Sequence, residues 1–396
     1  MQKSKQWLKA LGLVSLAGAL ALSGCKNEGG ATGGGTAESS ETIPLGLYTS
    51  ITGSGATYGK NTEAGIRMAI DEVNAKGGIL GKQVTLQVED NNGKPDQSAT
   101  AVQKLISSDK VLVVMGDFMS SNTLAAAPIC QNAKVPLVSP SATNAEVTKK
   151  GDYVFRTCFV DSIQGVVDAR FAKDHLKAKT AALLIDNKSD HSRGIAKFFE
   201  DEFKKGGTIV STVYYSGGDA DFRPQLTNIK GKNPEVIYMP AYYTDAGAIA
   251  KQARELGLKQ ALLGSDAWDS PMLVKIGGKA IEGGYFSTHY SPDSTDPRVK
   301  EFVANFKKVN NGEAPDSLAA TAYDAAKIVL ASIEKAGATS VTEENRKKVR
   351  DALATTTDFP GVTGDITIDK DRNVTKPLVL VQVKDGKFAY VSTVKP

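Results

Sequence analysis

The sequence predicts an α/β fold of two doubly wound, Rossmann-like lobes, and three observations predict it. Short β-rich runs alternate with helical runs from Ile43 to the C-terminus. The strand runs are apolar without interruption, which suits strands covered by helices on both faces of a parallel sheet. About 355 residues follow Glu41, more than one hydrophobic core ordinarily serves, so two lobes are expected.

The elements follow in order. Ile43–Thr49 (IPLGLYT) predicts a strand, and 58–76 predicts a helix through the spacing of Ile66, Ala69, Ile70 and Val73. Strand 83–90, helix 96–108, strand 111–116, helix 121–133 and strand 135–140 complete a first series. A second series runs helix 162–176, strand 180–186, helix 192–205, strand 208–215, helix 222–230, strand 235–240, helix 245–256 and strand 261–265. The β-rich run 283–290 then leads into helices 296–309, 316–336 and 342–353, and a closing hairpin turns at Asp385-Gly386. Doubly wound sheets bind ligands beyond the carboxyl ends of their strands. The expected site is therefore the cleft between the two lobes.

The first nine residues carry Lys3, Lys5 and Lys9 and no acid, and 10–22 is almost wholly apolar. The run is too short to span a bilayer and fits a secretory signal. It closes on Leu22-Ser23-Gly24-Cys25, which resembles a bacterial lipobox. The resemblance implies a signal peptide over 1–24 and a diacylglycerol-modified Cys25 as the first mature residue. The plainer alternative is an ordinary signal peptide with a chance cysteine. Residues 25–41 have almost nothing apolar to bury and predict a flexible tether, with a reach of about 20–25 Å. No later run of 18 apolar residues occurs. The expected location is the periplasm or cell surface, anchored to the membrane through the lipid on Cys25.

The formal charge is +4, or about +1 without the three signal lysines, which does not favour a nucleic-acid partner. Cys130 falls in a helical pattern and Cys158 beside a strand. Two buried thiols are expected, with a bridge left open in an oxidising compartment. His175, His191 and His289 are widely separated, and no G-x-S-x-G elbow or H-E-x-x-H occurs, so an extracellular hydrolase finds no nucleophile and base. No metal or cofactor is expected. The turn "TGSGATYGKN" lacks the glycine and the hydroxyl of a P-loop and the third glycine of a dinucleotide fingerprint. It reads as a flexible turn that delivers Tyr58 to the cleft, or else starts a helix with Tyr58 facing solvent.

Two further turns, "DFMSSNT" (117–123) and "PSATN" (140–144), place hydroxyl side chains between a strand end and a helix start. Such residues are ordinary helix caps. A helix N-terminus is also a seat for a carboxylate, and two such turns after neighbouring strands make a carboxylate patch.

The block "ITGSGATYGKNTEAGIRMAIDEVNAKGGILGK" resembles the opening of the bacterial branched-chain amino-acid binding proteins of Leu/Ile/Val type. "MGDFMSSNT", "SPSATNAEVT", "YVFRTCFVDSIQG", "MPAYYTDAG" and "LLGSDAW" follow in the order of that family's landmark segments. The resemblance implies a type I periplasmic binding fold, with lobes 42–160 plus 290–375 and 161–289 plus 376–396. Three hinge crossings would lie near 160–162, 289–291 and 374–377. It further implies that Ser120, Ser141 and Thr143 hold a ligand carboxylate, that Tyr242 and Asp266 face its ammonium, and that Tyr58 lines the pocket. Asp266 also stands on its own, because a desolvated ammonium needs a carboxylate partner; its alternative is to cap the helix near Pro271. Where the family commonly has a tyrosine, "SDHSRG" places His191, which would bond the guest or close the mouth and make binding pH-sensitive. A glutamate is frequent in the family where Asp266 stands. Phe118 and Trp268 flank these segments and either shape an apolar pocket or pack.

The expected function is capture of a branched-chain or other apolar amino acid by lobe closure. The guest would be delivered to an ABC transporter permease by a monomeric, non-enzymatic lipoprotein. Two alternatives are a sensory binding protein and the same fold holding an amide, a urea or an aromatic acid.

Overall fold

The structure, a computed structural model, describes residues 42–395. The signal peptide, Cys25 and the tether lie outside the described residues. The chain opens with β1 (Thr42–Thr49), α1 (Ala56–Asn74), β2 (Gln83–Asp90), α2 (Pro95–Ser107), β3 (Val113–Met115), α3 (Ser120–Asn132), β4 (Leu137–Ser139) and β5 (Val154–Arg156). The five strands form one parallel sheet in the order β2-β1-β3-β4-β5.

A second series follows: α4 (Asp161–Asp174), β6 (Thr180–Asp186), α5 (Asp190–Phe203), β7 (Thr208–Tyr215), α6 (Arg223–Lys232), β8 (Val236–Tyr238), α7 (Tyr243–Glu255), β9 (Ala261–Gly264), α8 (Pro271–Gly277) and β10 (Tyr285–Thr288). After α9 (Pro297–Val309), α10 (Ser317–Ala336), α11 (Glu343–Leu353) and the small ribbon β11 (Phe359–Gly361) and β12 (Gly364–Ile366), the hairpin β13 (Leu378–Lys384) and β14 (Lys387–Val394) closes the chain. The second sheet runs β14-β13-β10-β9-β8-β6-β7, parallel from β7 to β10 with the hairpin antiparallel at its edge.

The helical return belongs with the first sheet. Ile66, Ala69 and Ile70 of α1 share a core with Ala322, Ala325 and Val329 of α10 and with Val113 and Met115 of β3. Gly65 makes that approach possible, because a Cβ there would stand 2.2 Å from the carbonyl oxygen of Ala319. The second sheet has cores of its own on its two faces. Strand order reverses between β1 and β3 in one sheet and between β6 and β8 in the other, and ligand crevices open at such reversals.

Two expectations need correction. The apolar run 111–116 is regular strand only over 113–115, although the N–H groups of Leu112 and Gly116 still bond the carbonyls of Pro44 and Val138 and Val111 and Leu112 are fully buried. No α-helix starts after "PSATN": the chain makes a 3₁₀ turn at Thr148–Lys150 and enters β5, so no helix dipole stands behind Ser141 and Thr143. The two cysteines are as expected: Cys130 and Cys158 are both buried and free, and the bridge left open is not formed. Among the described residues no helix is long and apolar enough to cross a membrane.

Candidate functional site

The residues that follow six strands, β1, β3, β4, β6, β8 and β9, with the first turn of α10, converge on one narrow slot lined by Tyr58, Phe118, Ser141, Thr143, His191, Tyr242, Asp266, Ala267 and Leu318. Its free space is about 20 Å³, little more than a water needs. Roomier hollows exist elsewhere, but this one gathers the chemistry.

Tyr58 reaches the slot because α1 sits directly on the turn after β1: a Cβ on Gly59 would meet the Ser50 carbonyl oxygen at 1.9 Å. The Tyr58 hydroxyl donates to the Ala267 carbonyl at 2.7 Å, and its ring meets Phe118 and Tyr243 edge to face at 5.3 and 4.7 Å. The solvent-facing alternative for Tyr58 is excluded by its burial. Tyr243 in turn donates to the Ser54 carbonyl at 2.8 Å. The two sides are thus stitched shut across the cleft, as also by Asp190 N–H to Ser121 Oγ at 3.0 Å and Asn144 Nδ2 to the Asp190 carbonyl at 2.7 Å.

The turn after β4 is shaped by a buried cation. Arg156, at the end of β5, forks its Nη1 and Nη2 to the carbonyls of Ala142 and Asn144 at 2.8 and 2.7 Å. Both carbonyls are thereby occupied, and Ser141 and Thr143 of the same turn line the slot. Ser141 Oγ shares a 2.7 Å bond with Thr321 Oγ1. Ser120 does not line the slot; its Oγ accepts from the Asn144 N–H at 3.2 Å and braces the same turn.

His191 is the hub on the other side. Its Nδ1 lies 3.0 Å from Thr143 Oγ1 and 3.1 Å from Asp161 Oδ1, and its Nε2 lies 3.0 Å from Ser265 Oγ. Burial by itself would lower its pKa, but the Asp161 and Asp266 carboxylates outweigh this and lift it to about 9. As an imidazolium it donates from both nitrogens, its Nδ1–H shared between Asp161 Oδ1 and Thr143 Oγ1, so His191 does not take up the Thr143 hydroxyl proton.

Asp266 accepts from His289 Nε2 through Oδ2 at 3.1 Å. Its Oδ1 stands 3.7 Å from His191 Nε2, an ion-pair distance but too long for a hydrogen bond, and has no hydrogen-bond partner. Burial alone would raise this carboxyl; the hydrogen bond from His289, the charges on His191 and His289 and the nearby Gln164 amide instead hold it below the usual carboxylate range. Burial pushes His289 the other way, below the usual histidine value, only partly offset by Asp266. The cap role for Asp266 is excluded: Ser270 caps α8 by accepting from Met272 N–H.

Phe118 and Tyr242 both line the slot; Trp268 does not. Its ring lies over Gly264, where a Cβ would come within 2.1 Å of it, and its Nε1 donates to the Met239 carbonyl at 3.2 Å. It belongs to the core beneath the 265–267 turn. Sequence reasoning missed Arg156, Asp161, His289 and Leu318. Arg156 left a signal, a charge inside the apolar run "YVFRTCFV", which burial makes costly unless it is bonded. The others left none, since their neighbours come from distant segments. Among the described residues no group could hold a metal ion.

Comparison with known proteins adds three findings. Residues 42–387 match the family described as Periplasmic binding protein. The chain is 31% identical over 332 residues to a leucine-, isoleucine-, valine-, threonine- and alanine-binding protein of Pseudomonas aeruginosa, covering 83% of this chain and 86% of that one. Two crystal structures superpose over 90% of this chain at 35% identity. They are the leucine-binding protein LivK of Thermotoga maritima (TM-score 0.85, 99% of that chain) and LivJ of Streptococcus pneumoniae, a branched-chain amino acid transporter substrate-binding protein in complex with isoleucine (TM-score 0.83, 100% of that chain).

Proposed function

The chain belongs to the periplasmic binding protein family, and on that premise we propose that it captures a small apolar α-amino acid, branched-chain in the first instance, in the slot between its two sheets. The observation that carries this reading is Asp266 Oδ1, a buried carboxylate oxygen without a hydrogen bond, facing a slot with hydroxyls opposite. The carboxylates of Asp161 and Asp266 face one imidazolium, His191, while His289 is held towards its neutral form. Among these four side chains one negative charge exceeds the imidazolium, Arg156 being engaged with the Ala142 and Asn144 carbonyls. An α-ammonium neutralises it, and Ser141 and Thr143 meet the α-carboxylate. Tyr58, Phe118, Tyr242 and Leu318 offer the apolar remainder of the guest its wall. Ser120 contributes by holding the 141–144 turn, and Trp268 by supporting the 265–267 turn.

Mechanistically, the lobes 42–160 plus 290–375 and 161–289 plus 376–396 would turn about crossings near 160–162, 289–291 and 374–377. Each lobe carries half of the slot, so a guest that touches both binds the closed form preferentially and shifts the population towards it. The closed form is the shape that an ABC transporter permease receives. The protein acts as a monomer, leashed to the membrane by lipid on Cys25. Replacement Cys25→Ser, which removes the acceptor sulfur, should release the protein from the membrane fraction without changing its guest.

The test of the main reading is calorimetry against leucine, isoleucine and valine beside benzoate and an aliphatic amide. Binding of the amino acids alone supports it. Binding of benzoate or the amide in their place replaces it with a guest that has no ammonium.

A further inference from the structure

A second and larger hollow, about 470 Å³, lies beside the chain passing from β10 towards α9. Phe286 of β10, Val381 of β13, Phe388 of β14 and Val274 of α8 give it an apolar wall, with the Phe286 and Phe388 rings edge to face at 4.9 Å. Against that wall stand two carboxyls, Asp269 from the turn after β9 and Asp316 from the cap of α10, only 6% and 7% exposed.

Neither carboxyl has a cation. Asp269 accepts from Thr288 Oγ1 at 2.5 Å, and Asp316 from Asn61 Nδ2 at 2.6 Å and from Ala319 N–H at 2.9 Å. All these donors are neutral, and among the described residues no lysine, arginine or histidine comes within ion-pair distance of either carboxyl. The hollow's charged rim, Lys275, Lys387 and Asp293, is exposed to solvent. Burial, and for Asp316 the neighbouring Asp269, lifts the two carboxyls to about 6 and about 7. Two buried carboxyls facing one cavity without a counter-ion form an arrangement that a cationic guest relieves.

We propose that this hollow is a second binding site, for a small organic monocation with an apolar body, an arylalkylamine in chemical class. Its ammonium sits between Asp269 and Asp316 and its ring against Phe388, Val274 and Val381, with Phe286 packed behind them. Cavities of this size bury a drug-sized molecule. Free amino acids do not suit it, because an α-carboxylate one carbon from the ammonium would be pressed against the same two aspartates. Asp269 follows a strand of the second sheet and Asp316 caps the helix packed on α1, so the guest ties the two halves together.

The test is calorimetry of phenethylamine, with 2-phenylethanol as the uncharged control of similar shape. Phenethylamine should bind one to one, at least tenfold more tightly than the alcohol. Asp316→Asn keeps a capping side chain and removes the charge, and Val274→Trp fills the hollow. Each should weaken phenethylamine at least tenfold while leaving amino-acid binding in the slot unchanged, with circular dichroism reporting the fold of both variants. Phenethylamine binding should persist in Asp266→Ala, which separates this site from the slot whatever the slot holds. No heat at millimolar phenethylamine, equal binding of the alcohol, or loss in Asp266→Ala with retention in both other variants overturns the proposal.

Discussion

The Nε2 of His289 lies 3.1 Å from Oδ2 of Asp266, its ring stacked at 3.9 Å on Phe159, while the other oxygen of Asp266 has no hydrogen-bond partner. One oxygen of the carboxylate is thus pinned by the protein, and the other stands 3.7 Å from His191 Nε2 without a hydrogen bond. A pinned carboxylate loses little further freedom on meeting an ammonium, which is how pre-organisation raises affinity.

Asp266→Ala should therefore abolish the guest's anchor and leave the fold in place. Removing one member of a buried charge pair costs about 2–5 kcal/mol, so Kd should rise about 30-fold to several thousand-fold. Calorimetry reads the affinity and circular dichroism the fold. Unchanged affinity would remove Asp266 from the site.

His191 makes stability fall on the alkaline side. Its folded pKa of about 9 lies above that of an unfolded histidine, so its contribution is whole below about pH 6.5 and disappears as pH rises through about 9. The linkage is worth about 3 kcal/mol. His289 acts at the other end: held below the usual value, it resists a proton that the unfolded chain accepts, so stability also drops as pH falls. Urea melts across the pH range should show a maximum near neutrality, and His191→Gln should flatten the alkaline limb.

Arg156→Lys should weaken guest binding by about tenfold although the charge is kept. An ammonium is a point donor and cannot bond two carbonyls with the planar fork that Arg156 uses on Ala142 and Asn144. Losing one charge-assisted bond costs about 1.5–3 kcal/mol. Thermal unfolding and calorimetry of the same variant separate the stability loss from the affinity loss.

Two glycine substitutions should act in opposite directions. A Cβ at Gly59 would stand 1.9 Å from the Ser50 carbonyl, while at Gly231 in α6 nothing lies within 4 Å. Gly59→Ala should destabilise by about 1–3 kcal/mol and lower affinity by displacing Tyr58. Gly231→Ala should stabilise by about 0.5–1 kcal/mol and leave affinity alone. Denaturant midpoints decide both.

Cys130 and Cys158 should resist a thiol reagent such as dithionitrobenzoate in the folded protein. Burial pushes the Cys158 thiol up to about 12 and Cys130 higher still, and the thiolate is the reacting species. Both should react at once in guanidinium. Fast reaction in native buffer would mean that one of them becomes accessible.

From the linear chain alone came the alternation of strand and helix, several spans such as β6 and β7 to the residue, the two-lobed organisation and the turns that face the cleft. Hydrophobic periodicity is local, and each strand or helix announces itself over a few residues. Tertiary structure alone decided which polar groups meet. Thr143, Asp161, His191 and Ser265 come together at one imidazole from four separate segments, and Trp268 turns under Gly264 into the core. Nothing near Trp268 in the chain distinguishes a pocket wall from a foundation, because that depends on what packs against it from afar. The way Asp161, Asp266, His191 and His289 bias one another's protons is a property of the assembled cleft. Pairwise distances set it, and composition does not encode them.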